Sequence, residues 1–336
     1  MASADQIKAL VQSHLARDDA QFLSIAMQVA AYEARRGHSK LAEELRSMVD
    51  AAKVRRAGRE LLGRDPVPIS KPRGELAGLV SVSYPKQALG SMITSDPVRD
   101  RLERIIREQQ HFQRIREHGL SPRRRLLLTG PPGTGKTLTA SVLAGELSLP
   151  LFLVRLEALI SKFLGETAAK LRLIFDAVRD TRGVYFFDEF DAIASRRGMA
   201  NEVGEIRRVL NSFLQFIEHD ESNSLIVAAT NHPELLDHAV YRRFDDVIEY
   251  QMPDADQALE ALRARLRSFA TKTMNWRALA AAADGLSFAE ITRAADEAIK
   301  EAIIHERSSV SHVDVQRALS ERMAMRPAQV LAPQKR

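Results

Sequence analysis

The sequence predicts an α/β protein: a five-stranded parallel sheet in an αβα sandwich, preceded by an all-α three-helix bundle and followed by a small helical domain. Three observations carry that reading. Short apolar runs at 126–129, 150–154, 184–187, 225–230 and 247–250 lack clean period-two alternation, as strands buried on both faces do. Helical stretches around 137–147, 167–180, 203–219 and 234–240 fall between them, the alternation that crossover helices impose on a parallel sheet. Before residue 57 and after Met252-Pro253 the apolar period is helical.

Taken in order, Ile7, Leu10, Val11 and Leu15 open a first helical period. Phe22, Ile25, Ala26 and Val29 follow the N-cap candidates Asp18 and Asp19, and Leu41, Leu45, Met48 and Ala52 follow the breaker Gly37. Short loops make residues 1–60 a bundle. The stretch GRDPVPISKPRG at 63–74 is rich in proline and bounded by glycine, so residues 61–75 read as a linker. The α/β domain then runs over 76–252. Candidate helices near 255–270, 275–283, 287–305 and 312–322 make 253–325 a second, all-α domain, and 326–336 reads as a frayed tail.

Composition narrows the function class. With 336 residues, 45% hydrophobic and 28% charged, the chain sits at the globular average and is long enough for about two or three domains. It has no cysteine, which removes disulfides, thiolate metal sites and thiol nucleophiles together. No apolar run approaches the roughly 18–20 residues that span a bilayer, and the N-terminus, MASADQIKAL, lacks the features of a signal peptide; the expectation is a cytoplasmic protein without membrane insertion. The formal charge of +5 is concentrated at 99–125, where nine arginines face Asp100, Glu103, Glu108 and Glu117. Many of those arginines have an acid three or four residues away, the spacing of a solvated helix face, which argues against a nucleic-acid surface.

The chemistry lies in three segments. GPPGTGKT at 130–137 follows an apolar strand and precedes a helical run, the context of a phosphate-binding loop. Its glycines let backbone N–H groups turn inward around phosphates, the helix N-terminus adds its positive end, Lys136 reaches the β and γ phosphates, and the Thr137 hydroxyl helps hold Mg²⁺. The expected ATP-contacting set is Pro132, Gly133, Thr134, Gly135, Lys136, Thr137 and Leu138. The run VYFFDE at 184–189 ends in two carboxylates on what should be a strand neighbouring that of the loop. Asp188 is placed to hold magnesium and Glu189 to polarise the attacking water. Asp191 reads as an N-cap or structural residue. The strand at 225–230 delivers Asn231, whose amide can align the water; in isolation, Asn231 before His232-Pro233 fits a turn equally well.

In this order the three segments resemble the AAA family of ring-forming ATPases over roughly residues 76–325. The resemblance aligns 130–137 with the Walker A loop, FDEFDAI at 187–193 with the Walker B strand and AATN at 228–231 with the first sensor. It also implies that LDHAVYRRF at 236–244, most like the katanin and spastin branch, carries paired arginine fingers, Arg242 and Arg243, which reach a neighbouring subunit's γ-phosphate. KFLGE at 162–166 falls where the family has its first pore loop. Phe163 would there grip a polypeptide in the central channel, while taken alone it suits a core position better. SRRGMANEVG at 195–204 is a weaker second pore-loop candidate. GLSFAEI at 285–291 resembles the lid turn that approaches adenine, with Gly285 and Ala289 allowing close packing and Phe288 replacing the usual glycine. Glu218-His-Asp-Glu-Ser222 departs from the Asp-Gly pair by which many relatives signal between subunits.

The function these features imply is an ATP-hydrolysing protein remodeller that acts as a homo-oligomeric ring, a hexamer, on protein substrates in its central pore. The N-terminal bundle would recruit substrate or partner. A nucleic-acid motor or loader shares the phosphate chemistry but lacks a recognisable DNA-reading module. A nucleotide-gated scaffold is disfavoured by Glu189 and the paired arginines.

Overall fold

The computed structural model describes residues 74–159, 164–191, 200–271 and 274–325, together with Pro72 and positions 25–27, 29, 30, 32, 43 and 47. The chain divides into two compact units, Met1–Val67 and Pro68–Arg336. In the first, the described positions are helical, with Val29 and Ala30 buried. The three-helix bundle and the 326–336 tail otherwise lie outside the described residues.

The second unit is built on a six-stranded sheet: β1 (Val80–Ser83), β2 (Arg125–Thr129), β3 (Leu151–Val154), β4 (Val184–Phe187), β5 (Leu225–Thr230) and β6 (Asp246–Glu249). The spatial order is β1-β3-β4-β5-β2-β6. All neighbouring pairs are parallel except β1 with β3, which is antiparallel. The sixth strand corrects the expected count of five. β1 is an edge strand of sequence VSVS in which only Val80 is buried, so it lacks the apolar run that marks the inner strands.

Both faces of the inner strands are apolar. Leu127, Tyr185, Phe187, Ile226 and Ala228 point to one side, against Ile174, Phe175, Val178, Phe213 and Ile217 of helices Leu164–Asp180 and Ala200–His219. Leu126, Leu128, Phe186, Val227 and Ile248 point to the other, against Leu102 and Ile105 of helix Asp96–Gln110 and Ala140 and Leu143 of helix Lys136–Glu146. That double burial is why the strands show no alternation in sequence.

A buried ion pair ties the layers at the sheet's N-terminal edge. Arg124, just before β2, bonds the carboxylate and carbonyl of Asp220, just past helix Ala200–His219. The Ser222 hydroxyl donates to the same carboxylate at 3.0 Å. The next arginine, Arg125, pairs with Asp245 at 2.8 Å and so registers β2 against the entry to β6.

The expected helix at 234–240 is instead a 3-10 turn, Pro233–Leu235, and a short helix, His238–Tyr241. Asp237 separates them, and its side chain accepts from the Ala239 N–H to start the second piece. Helices Ala255–Leu266, Trp276–Ala282, Phe288–Ile304 and His312–Ala324 enclose a core of Leu262, Leu266, Leu279, Leu286, Ile291 and Leu319. Side-chain caps start each of the four, at Asp254, Asn275, Ser287 and Ser311.

Candidate active site

Parallel strands put their C-terminal ends along one edge, and the chemistry collects there. β2 leads into the loop at 130, β4 into Asp188 and β5 into Asn231. Here the strand order corrects the sequence reading, because β4 is not the neighbour of β2. β5, buried at all six positions, lies between them, with Thr129 opposite Thr230 and Phe187 opposite Ala228. The continuous apolar run of β5 takes the most enclosed place in the sheet, and as a result Asn231 stands between the loop and the acid pair.

The loop's backbone needs glycine at three points. Gly130, Gly133 and Gly135 have φ of 135°, 77° and 110°, all in the region that side chains rarely enter. Space excludes a side chain as well: a Cβ on Gly130 would sit 2.2 Å from the Tyr250 carbonyl oxygen, and one on Gly133 2.6 Å from the Ser287 Oγ. The Thr134 hydroxyl donates to the Pro131 carbonyl at 2.8 Å and closes the turn. Lys136, the first residue of its helix, lies buried with Nζ donating to the carbonyls of Gly130 and Pro131 at 2.7 and 2.8 Å. Burial pushes this ammonium below its ordinary value, while the carboxylates of Asp188 and Asp191 oppose the shift. A cation is thus concentrated within the loop by backbone oxygens. Leu138 projects from the same helix with 42% of its surface exposed.

Thr137 and Asp188 meet at this edge, the Thr137 hydroxyl donating to Asp188 Oδ2 at 3.0 Å. The pair fits Mg²⁺, which takes hard oxygen donors, needs few from the protein and keeps water or phosphate for the rest. The acid turn is clamped on both sides: Phe187 and Phe190 are fully buried and each ring centroid lies 4.9 Å from that of Phe213. Between them Glu189 is exposed and adopts a φ of 51°, a strained conformation for a residue with a side chain, and its N–H donates to Asp188 Oδ1 at 2.9 Å. The clamp leaves Glu189 facing solvent at the sheet edge, where a water-activating base can work.

Asp191 proves to be the link between strands. Its Oδ1 accepts from the Thr230 hydroxyl at 2.9 Å and from the Asn231 N–H at 3.2 Å, fixing the end of β5 beside the acid turn. Asn231 also borders a cavity of about 850 Å³ shared with Gly130, Pro131, Pro132, Glu234 and Tyr241.

The helical domain touches the loop directly. The Ala289 N–H, at the start of helix Phe288–Ile304, donates to the Gly133 carbonyl at 3.1 Å. Gly285 makes the preceding turn with φ of 78°. The structure brings Ala289, though not Gly285, into bonded contact with the loop, and Phe288 packs against the helical domain's own core. Two residues that the sequence did not single out also belong here: Met92, whose Cε would lie 3.2 Å from a Cβ on Gly135, and Tyr250 beneath Gly130.

Arg242 and Arg243 make no bonded contact with the loop, although Tyr241, just before them, borders the same cavity as Gly130 and Asn231. They precede β6, whose Asp246 pairs with Leu126 near the start of β2, so they lie at the N-terminal end of the sheet. Arg242 is exposed, while Arg243 bonds Glu218 Oε2 at 3.3 Å and the Ala239 carbonyl at 2.9 Å. Phe163 and residues 195–199 of the second candidate pore loop lie outside the described residues.

A phosphate loop on the C-terminal edge of a parallel sheet, with an inserted strand between it and the acid strand, defines a P-loop nucleoside triphosphatase. The model of the family described as "ATPase family associated with various cellular activities (AAA)" matches residues 126–252. Across 99% of both chains, the sequence is 37% identical to "Uncharacterized AAA family ATPase y4kL" of Sinorhizobium fredii. It is 34% identical over 66% of its length to the proteasome-activating nucleotidase of Methanococcus maripaludis, and 30% identical over 74% to the ATP-dependent zinc metalloprotease FtsH 3 of Sphaerobacter thermophilus. The matched regions span about half of those two relatives, 56% and 52%. The chain belongs to the AAA family of ATPases; it binds ATP and hydrolyses it to ADP and phosphate. No described helix is long and apolar enough to cross a membrane.

Two left-handed glycines separate loop chemistry from general strain. Gly133→Ala forces both a strained φ, costing about 1–3 kcal/mol, and a collision with Ser287, so ATP affinity is expected to fall about tenfold or more. Gly119→Ala has a similar φ of 73° but open space around it, and is expected to lower thermal stability with ATP affinity intact. Equal affinity loss in both variants, measured by titration calorimetry, would contradict the assigned role of Gly133.

Proposed function

We propose that this chain is an ATP-driven protein remodeller acting as a homo-oligomeric ring, a hexamer, in which the arginines of one subunit complete the active site of the next. The observation that supports this best is the sheet's polarity. The five residues of β2 separate the phosphate loop from the level of Asp245, two residues after Arg243, by roughly 16 Å at about 3.3 Å per residue. A cation at that end serves a neighbour's phosphates, neutralising charge as it develops and making hydrolysis depend on assembly.

In each site the backbone from Pro132 to Leu138 and Lys136 hold the phosphates, Thr137 and Asp188 hold Mg²⁺, Glu189 accepts the proton of the attacking water and Asn231 orients that water. When bound, the magnesium ion supplies charge neutralisation across the β and γ phosphates. Gly285 and Ala289 let the helical domain approach the adenine. Protein substrates are the reading favoured by the names of the proteasome-activating and protease relatives over the shared ATPase region. On the family resemblance Phe163 grips the polypeptide in the pore, and the 1–60 bundle recruits substrate or partner.

Five of the nine arginines at 99–125 are paired with carboxylates, which weighs against the nucleic-acid alternative. Arg101 and Arg123 are drawn to Asp246, Arg107 to Glu103, Arg124 to Asp220 and Arg125 to Asp245, while Arg99 donates to the carbonyls of Leu89 and Met92. Cations neutralised within the chain make a poor phosphate-tracking stripe.

Lys136→Ala is expected to abolish ATP binding, whereas Glu189→Gln should bind ATP normally and hydrolyse it at least about a hundredfold more slowly. Wild-type binding and turnover in both would refute the site assignment. Arg242→Ala and Arg243→Ala should each bind ATP yet hydrolyse it poorly. Mixed with Glu189→Gln subunits they should recover part of the activity, because each subunit type supplies what the other lacks. Mixed rings without any recovery would remove the case for action in trans.

A further inference from the structure

Beneath the phosphate loop lies a buried polar chain that the hydrolytic roles above do not use. Thr139, in the first turn of helix Lys136–Glu146, is fully buried, and Tyr250, directly after β6, is 3% exposed. The two hydroxyl oxygens are 2.5 Å apart, and the Thr139 hydroxyl is also 3.1 Å from the Gly135 carbonyl oxygen. Around them are Leu143, Ala140 and Ile248, an apolar setting in which an unpaired hydroxyl is costly. Burial pushes the Tyr250 phenol well above its ordinary value, so it keeps its proton throughout the working pH range.

Either hydroxyl can donate in the Thr139–Tyr250 bond, and the single Thr139 proton has the Gly135 carbonyl at 3.1 Å and the Met92 Sδ at 3.8 Å as further acceptors. With that proton on the carbonyl, the stronger acceptor of the two, Tyr250 donates to the Thr139 oxygen. Gly135 immediately precedes Lys136, and its carbonyl shares one rigid trans peptide plane with the Lys136 N–H. That oxygen accepts the Thr139 N–H at 2.9 Å in the helix's own ladder and the hydroxyl as a second donor at 3.1 Å; held inward by both, it turns the Lys136 N–H the opposite way, out toward the space enclosed by the loop. Tyr250 is itself held from both sides: its N–H donates to the Thr129 carbonyl at 2.7 Å, and its carbonyl packs where a side chain on Gly130 would have to be.

We propose that Tyr250 is a positioning residue for the phosphate loop, acting through Thr139 to set the Gly135–Lys136 peptide plane and with it the aim of the Lys136 N–H at the nucleotide's phosphates. The proposal rests on the phosphate-loop reading of residues 130–137. It adds a second function to β6, which carries Arg242 and Arg243 before its first residue and Tyr250 after its last.

The test measures the Kd for ADP with magnesium by calorimetry, together with KM and kcat for ATP and the melting temperature of the nucleotide-free protein. Tyr250→Phe and Thr139→Val are each expected to raise Kd and KM about three- to tenfold, the equivalent of one net hydrogen bond, with a smaller change in kcat. The double variant should bind no more weakly than the worse single one, since both break the same chain. Thr139→Ser keeps the hydroxyl and should bind as wild type. A purely structural role would lower the melting temperature and leave the affinity of the folded protein unchanged. Affinity within twofold of wild type in both Tyr250→Phe and Thr139→Val would overturn the proposal; should Tyr250→Phe fail to fold, the contrast between Thr139→Val and Thr139→Ser decides it. Lys136→Ala serves as the reference: unchanged affinity there would mean that the loop reading itself has failed.

Discussion

The constraint on which the rest of the molecule depends is the common direction of five strands. β3, β4, β5, β2 and β6 run parallel, so every loop that leaves a C-terminal end opens on one edge and every loop that enters a strand opens on the other. The phosphate loop, Asp188, Glu189 and Asn231 all leave strands, while Arg242 and Arg243 enter one. Hydrophobic burial on both faces holds that arrangement and specifies no chemistry. Separation of the phosphate-loop edge from the edge that carries Arg242 and Arg243 then follows from where these residues fall along the chain.

Polar interactions at the two edges have different tasks. At the entering edge, Arg124 and Asp220 are buried together and Ser222 satisfies the carboxylate further, so the network defines how the end of helix Ala200–His219 meets the sheet. Glu218, two residues before that anchor, is the group that Arg243 bonds, and 55% of its side chain is exposed. A pair so open to water is weak, so Glu218 contributes little to holding Arg243 in place. At the leaving edge the energetics run the other way. Lys136 is desolvated and caged by carbonyls, Glu189 is held at positive φ between two buried phenylalanines, and the loop glycines permit no side chain. Such preorganisation is stored by folding and available to the reaction.

Much of this was legible in sequence because it is local. The loop, the acid pair after an apolar strand and the strand leading to Asn231 are contiguous motifs whose geometry is dictated within a few residues. Strand order is not local, and the expectation that β4 neighbours β2 failed because nothing in either run says that β5 will lie between them. Asp191 read as a cap or structural residue, and its bonds to Thr230 and Asn231, some forty positions away, could be seen only after folding. The same holds for Thr139 and Tyr250, 111 positions apart, each of which looks like an unremarkable member of its own element. β1 left a fainter trace, two valines alternating with two serines, which is the signature of a half-exposed edge strand.

The proposed need of hydrolysis for a second copy of the chain can be read from the turnover rate per subunit as a function of protein concentration, with the mass of the particle followed in parallel. Turnover per subunit is expected to collapse on dilution, in step with the loss of the assembled species, while ATP binding to the dissociated subunit persists. A turnover per subunit that stays constant down to concentrations at which only monomer remains would contradict it.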